Sequence, residues 1–272
     1  MSALLRLLDV QPGPSEGSWA GPASGPQGKR AFGGQFMAQS LAVAGRTVES
    51  AKHPTSMHLQ FLRGGEAGDG VEYSVHRVFD GRTASSRRVE SRQDGRLLTT
   101  ASVSFAARLV GPEHGRYASM PQDPESLPRT GPAGPAPSMP LDEIDIRVAD
   151  DRDGGEFVRR LWWRVTVPLP EDPLLHSVIA AYVSDVYMID PALQVHGHSM
   201  VARTHRSGTT DSSIWFHRPL RADRWNLLES RSPAAAGGRG VITGSLVGAD
   251  GAIAATLVQE GLIAEREESP RS

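Results

Sequence analysis

Two residues interrupt apolar patterns at points where a carboxylate and an amide could hold and activate water. In the segment that opens at Pro173, Leu174, Val178 and Tyr182 recur at helical spacing, and Asp185 follows Tyr182 by three positions, on the face that should be buried. A buried carboxylate is costly unless it is hydrogen-bonded or protonated, so Asp185 needs partners. The alternative is that the helix ends near Ser184 and Asp185 faces solvent or caps a neighbouring segment. Gln259 closes a strand row begun by Ile253, Ala255 and Leu257, so an amide sits where an apolar side chain is expected. Read alone, it is equally a strand-end amide satisfied by water or backbone. Thr209, Asp211 and Ser213 alternate onto one face of a strand that continues through Trp215 and His217, and could simply form a strand entrance. No histidine has metal-site spacing: His58, His176, His196, His205 and His217 are scattered, without HExxH. GPSEG at Gly13 to Gly17 matches GxSxG formally, but the proline before Ser15 does not suit a strand-to-helix elbow. Neither a P-loop nor GxGxxG is present, and with no cysteine there is no disulfide, thiolate ligand or Cys nucleophile.

The elements that must position these residues occur twice. Met57 to Leu62 leads into Arg63, with an Asp94-Gly95 turn following; Ser213 to His217 leads into Arg218, with Asp250-Gly251 following at nearly the same distance. Two similar units of equal spacing imply two copies of one supersecondary block. The copies differ where chemistry is suspected: eight residues past Gly251 lies Gln259, and eight past Gly95 lies Val103. In the first block, AFGGQFMAQSLAVAGRTV predicts a helix entered through Gly33-Gly34, with Met37, Leu41, Ala44 and Val48 at helical spacing. Extended segments SMHLQFL, VEYSVHRVF, TASSRRVESR and LLTTASVSFA follow, punctuated by Asp-Gly pairs, which predicts an antiparallel meander. Residues 111 to 140 hold eight prolines and read as a linker. The second block opens with strands at Ile144 to Val148 and around LWWRVTV. A helix from Pro173 and three further extended stretches complete it. This is an α+β chain, divided into residues 1–108, a linker at 109–142, a second block at 143–265 and a charged, frayed tail at 266–272.

A formal charge of -2 gives no general attraction for nucleic acid, yet 27 of the 29 basic residues are arginine, which suits a phosphorylated small molecule. No apolar run is long enough to span a bilayer, and the N-terminus lacks the pattern of a secretory signal, so the cytoplasm is the expected compartment.

AFGGQFMAQSL, HLQFLRGG, the VSD of the second helix, TTDSSIWFHRPLRADRW and the terminal VQEG together resemble the acyl-CoA thioesterase II family, over nearly the whole chain. That resemblance implies a double hotdog, in which a central helix is wrapped by an antiparallel sheet and two such units pair edge to edge. It implies a catalytic set of Asp185, Thr209 and Gln259, with Thr210 as a competitor for the hydroxyl role. The family commonly has His where this chain has Ser212. Gly33, Gly34 and Gln35, with His58, become the candidate substrate contacts. The implied substrate is an acyl-CoA, with no cofactor or metal and with a homodimer or larger homo-oligomer as the working form. Water held by the three polar residues would attack the thioester with the carboxylate as general base. Backbone donors at Gly33-Gly34 would meet the oxyanion, so Gly34→Val should cut turnover more than stability. Two other readings are a hotdog enoyl-CoA hydratase, which needs a His that does not follow Asp185, and an acyl-CoA-binding hotdog without activity.

Overall fold

Alternation of apolar and polar residues is realised as strands, and the two apolar segments without alternation form helices. The structure, a computed structural model, describes residues 1–25, 28–117, 120–130, 140, 142–153, 156–200, 202 and 204–266. In the first half, helix α1 (Ala3–Leu8) and strands β1 (Gln11–Pro12) and β2 (Ser18–Gly21) precede helix α2 (Gly33–Gly45). Strands β3 (Lys52–Phe61), β4 (Val71–Asp80), β5 (Ala84–Gln93) and β6 (Arg96–Ala107) follow. In the second half, β7 (Ile144–Val148), β8 (Asp151–Asp153) and β9 (Glu156–Val165) precede α3 (Pro173–Val183) and the short α4 (Asp190–Gln194). The chain then forms β10 (His205–Phe216), β11 (Asn226–Ala236), β12 (Arg239–Val247) and β13 (Ile253–Glu265). Of the tail at 266–272, all but Arg266 lies outside the described residues.

Among the described residues these strands form one antiparallel sheet in the order β1-β2-β4-β5-β6-β3-β10-β13-β12-β11-β9-β7, with β8 on β9. The order reads alike outward from the β3–β10 seam: β3, β6, β5 and β4 on one side correspond to β10, β13, β12 and β11 on the other. The repeat seen in the sequence is therefore a repeat of topology. One expectation needs correction. The first block is not a simple meander, because β3 pairs with β6 instead of β4, and only β4-β5-β6 turn back consecutively. The longer connection from β3 to β4 frees the other edge of β3 to pair with β10, in register from Asp211 opposite Gln60 to Trp215 opposite Ser56. A hairpin from β3 to β4 would have taken up an edge that the seam arrangement uses.

Helix α2 is apolar or small apart from Gln35 and Gln39, and every residue from Gly34 to Ala44 is buried. Its small residues let α3 approach: a Cβ on Gly34 would lie 2.3 Å from the Tyr182 carbonyl oxygen, and one on Gly45 would lie 2.5 Å from Leu174. Phe32 and Tyr182 meet edge to face at 5.2 Å across the same contact. Helix α3 begins as its sequence predicts, with Pro173 in the first turn and Asp172 accepting the Leu174 N–H at 2.9 Å. In the proline-rich connection, Tyr117 and Leu127 pack on a small cluster of Trp162, Leu227 and Val247.

Buried polar groups of α2 fasten the N-terminal segment to this core. Gln39 donates to the carbonyls of Leu7 and Pro22 and accepts from the Tyr73 hydroxyl at 2.6 Å, with Gln39, Leu7 and Tyr73 all buried. Tyr73→Phe leaves the amide oxygen without its donor, and is expected to cost about 1–2 kcal/mol and to lower Tm by a few degrees. An unchanged melt would mean that the Gln39 oxygen finds another donor.

Candidate active site

Three elements bring Asp185, Thr209 and Gln259 together. Helix α3 ends at Val183 and is capped at Ser184, so Asp185 lies just past it, as one alternative had it, and is half-buried. Thr209 Oγ1 donates to Asp185 Oδ1 at 3.3 Å, and Gln259 Nε2 reaches the same oxygen at 3.4 Å and also donates to Thr209 Oγ1. The Gly34 N–H donates to the carboxylate as well. Helix α2 has no side-chain N-cap of its own, and Asp185 serves that purpose from the second half of the chain. Every partner of the carboxylate is a donor, as an ionised acid requires. Burial nevertheless dominates, raising the Asp185 pKa from its ordinary 3.8 to about 6 against the lowering pull of Thr209, the Gly34 amide and Gln259.

The second carboxylate oxygen has a different outlook. A Cβ on Gly33 would stand 2.7 Å from Asp185 Oδ2 and 3.2 Å from the Phe61 ring, so bare Gly33 leaves space in front of that oxygen. Gly33, Asp185 and Thr209 line an open cavity of about 490 Å³, whose apolar wall includes Phe61, Ile189 and Leu262. Gln259, 1 % exposed, lies behind them. Oδ1 is thus held by Thr209 and Gln259, while the space left by Gly33 lies in front of Oδ2.

The strand carrying Thr209 departs from the alternation read in the sequence. A β-bulge at Thr210 puts Thr209 opposite Gly261 and Asp211 opposite Glu260. Thr209 therefore shares its face with Ser212 and buried Ile214, and Asp211 and Ser213 turn to the other side. The extra residue inverts the period of two, which no residue type in TTDSS announces. Thr210 commits its hydroxyl to Glu260, at 2.8 Å from the carboxylate and 3.1 Å from the carbonyl oxygen. Ser213 meets His58 Nδ1 at 2.7 Å on the outer face of the seam, so the His58 side chain is not brought to Asp185. Nor is that of Gln35, whose amide is spent on Ser24, Leu7 and Pro22. The Gly34 amide, expected to meet an oxyanion, lies beside the Asp185 carboxylate and pulls its pKa down. Ser15 of the GPSEG stretch is exposed, and its backbone hydrogen-bonds to Ser18. Among the described residues no cluster of His, Asp and Glu is placed to hold a metal ion.

Residues 117–263 match the acyl-CoA thioesterase C-terminal domain, and residues 21–106 match the acyl-CoA thioesterase N-terminal domain. The chain belongs to the acyl-CoA thioesterase II family. It is 32 % identical to the mouse (Mus musculus) acyl-coenzyme A thioesterase 8 over 266 residues, covering 88 % of this chain and 81 % of the relative. Among solved structures, the acyl-CoA thioesterase II TesB2 of Mycobacterium marinum superposes with a TM-score of 0.83 at 29 % identity, over 99 % of this chain and 100 % of the other. A hot dog fold protein of unknown function from Alicyclobacillus acidocaldarius superposes with a TM-score of 0.79, over 98 % of this chain and 100 % of that one, and at 20 % identity shows the fold alone. In this acyl-CoA thioesterase II family member, Ser212 is buried opposite Gln259 on the core side of β10.

Two supports of the site were not evident from sequence. Tyr187, with φ of 55°, turns the chain sharply after Asp185 in a conformation uncommon for a bulky residue. Beneath that turn Arg159 donates to Asp190 Oδ2 at 2.8 Å, with its guanidinium 5.1 Å from the Tyr187 ring, while Asp190 Oδ1 accepts the Met200 N–H at 2.8 Å. The buried ion pair fastens both ends of the segment that forms the second wall of the cavity.

Proposed function

We propose that this chain hydrolyses acyl-CoA to a free fatty acid and coenzyme A by direct attack of water held by Asp185, Thr209 and Gln259. The observation that carries the reading is a cavity-lining carboxylate that keeps one oxygen tied to a hydroxyl and an amide and has the space left by Gly33 in front of the other. Asp185 Oδ2 takes a proton from the water as its oxygen bonds to the thioester carbonyl carbon. The tetrahedral oxyanion then collapses with cleavage of the C–S bond, and the proton passes from Asp185 to the departing sulfur. A thiol of pKa about 8.5 leaves readily, so no covalent intermediate is needed. The positive end of α2 faces the reacting centre and favours the negative charge that develops there.

Thiol release from acyl-CoAs of graded chain length tests this. Turnover is expected, with the length profile naming the acyl group. Tight acyl-CoA binding without thiol release would overturn the hydrolase in favour of a binding module. Thr209→Val removes one donor that keeps the Asp185 pKa down. It is expected to lower turnover about 10-fold or more and to move the acid limb of the pH–rate profile above pH 6. A limb that stays in place would detach Thr209 from the base.

The same reading takes the halves as tandem hotdog units, 1–108 and 143–265, joined through 109–142. The outward repetition of strand order from the β3–β10 seam supports it. It places the chain in the cytoplasm as a homodimer or larger assembly, which sedimentation showing only the monomer would refute.

A further inference from the structure

Two arginines on separate segments stand at the cavity that ends on Asp185: Arg30, before α2, and Arg63, just after β3. Both are exposed, and among the described residues neither is ion-paired; Glu66, near Arg63 in sequence and bridged to Arg30, turns instead to Arg96 at 3.7 Å. Their backbones are pinned side by side. The Ala31 N–H donates to Gly65 O at 2.9 Å and the Ala67 N–H to Lys29 O at 2.8 Å, with a β-bridge between Arg30 and Glu66. Between the two arginines Gly64 is bare: a Cβ there would lie 3.0 Å from Arg30 Nε and 3.4 Å from its Cζ, so the Arg30 guanidinium rests on the Gly64 backbone. Arg63 spends one donor on Leu97 O at 2.9 Å, which steadies it and leaves the rest of its fork free.

We propose that Arg30 and Arg63, seated around Gly64, form a clamp for the phosphate groups of the coenzyme A portion of the substrate. The inference rests on the acyl-CoA hydrolase reading and adds to it the residues that hold the nucleotide end. Planar guanidinium groups bind phosphate oxygens through paired N–H donors, and two of them on a pinned scaffold lose little freedom on binding. The placement fits the ligand. Gly33 lies beside Asp185, close enough that a Cβ there would stand 2.7 Å from Oδ2, and three residues of chain, about 10 Å if extended, separate it from Arg30, which adds the reach of its side chain. A thioester at Asp185 therefore sends its pantetheine arm toward the arginines and its phosphates to them.

The test compares one acyl group carried on coenzyme A, on 3′-dephospho-coenzyme A and on pantetheine, in the wild type, Arg30→Met, Arg63→Met and the double variant. Each single change is expected to raise KM for the coenzyme A thioester about 10-fold or more, with kcat much less affected. The pantetheine thioester should lose far less, so the preference of the wild type for coenzyme A collapses in the double variant. Equal losses on all three carriers, or no loss on any, would overturn the clamp. Binding of adenosine 3′,5′-bisphosphate, read by calorimetry, separates this from the hydrolase reading: its loss in the double variant supports the clamp even if turnover is absent. Inorganic phosphate competing as well as the nucleotide would reduce the site to a general anion site and overturn the assignment to coenzyme A.

Discussion

Asp185→Asn is expected to lower kcat by about 10²–10⁴-fold, the range for removing a positioned general base, with KM little changed. The protein should remain folded. Asparagine keeps an oxygen that can accept from Thr209 or from the Gly34 amide, so the cap on α2 survives in part, and it removes a charge that burial disfavours. The sign of the stability effect follows from the direction of the shift. The folded-state pKa of about 6 lies above the ordinary 3.8, so between roughly pH 4 and 6 the folded protein holds more protons than the unfolded one. The contribution of Asp185 to stability is therefore fully present below pH 4 and is lost as pH rises through 6. By pH 7 the wild type carries a penalty of up to about 3 kcal/mol that the variant lacks. The variant should melt at or above the wild-type temperature at pH 7.5 and show no such advantage at pH 4. The kinetic counterpart is a wild-type kcat/KM that falls below about pH 6 and a residual rate in the variant that does not follow that limb. A variant that melts well below the wild type at pH 7.5 would mean that the carboxylate is structural.

Much of this site was readable because its polar residues break patterns that physics otherwise enforces. Gln259 interrupts an alternating apolar row that the structure buries, and the equivalent position in the other half is Val103, fully buried. The position of Asp185 relative to Tyr182 pointed inward, and the end of α3 at Val183 did not undo this, because the chain turns at Tyr187 before it can reach solvent. Features that depend on the partner strand were not readable. The bulge at Thr210 is a property of how β10 lies against β13, and it reversed the faces of Asp211 and Ser213. The pairing of β3 with β6 and β10 depends on a crossover whose path no local signal fixes. Strand β5 shows the same limit: its buried face is Ser85, Arg87, Val89, Ser91 and Gln93, mostly polar. Arg87 is buried because Asp80 and the carbonyls of Thr47 and Phe79 surround it, and those partners lie in other segments. Local periodicity finds faces whose burial is apolar; it misses those whose polar groups are satisfied at a distance.

Gly33 and Gly34, which the sequence treated as one device, should part under substitution. Gly34→Val places a Cβ 2.3 Å from the Tyr182 carbonyl oxygen, a backbone atom of α3 that cannot move unless the two central helices separate. The expected result is a loss of several kcal/mol and a poorly folded protein, because overpacking here strains backbone as well as side chains. This reverses the sequence-based expectation that Gly34→Val would harm turnover more than stability. Gly33→Ala is the substitution with that property. Its φ is not in the left-handed region, so alanine fits the backbone without strain. Its methyl, however, enters the space 2.7 Å from Asp185 Oδ2 and 3.2 Å from the Phe61 ring, where the attacking water has to sit. The carboxylate must turn, and a displacement of about an ångström at a reacting centre costs on the order of 10²-fold in rate. Thermal melts beside thiol-release assays decide the matter. Gly33→Ala should retain its Tm within a few degrees and lose most of its kcat, while Gly34→Val should lose both. If Gly33→Ala keeps full turnover, the open side of Asp185 is not where water attacks, and the proton must leave by the oxygen held between Thr209 and Gln259.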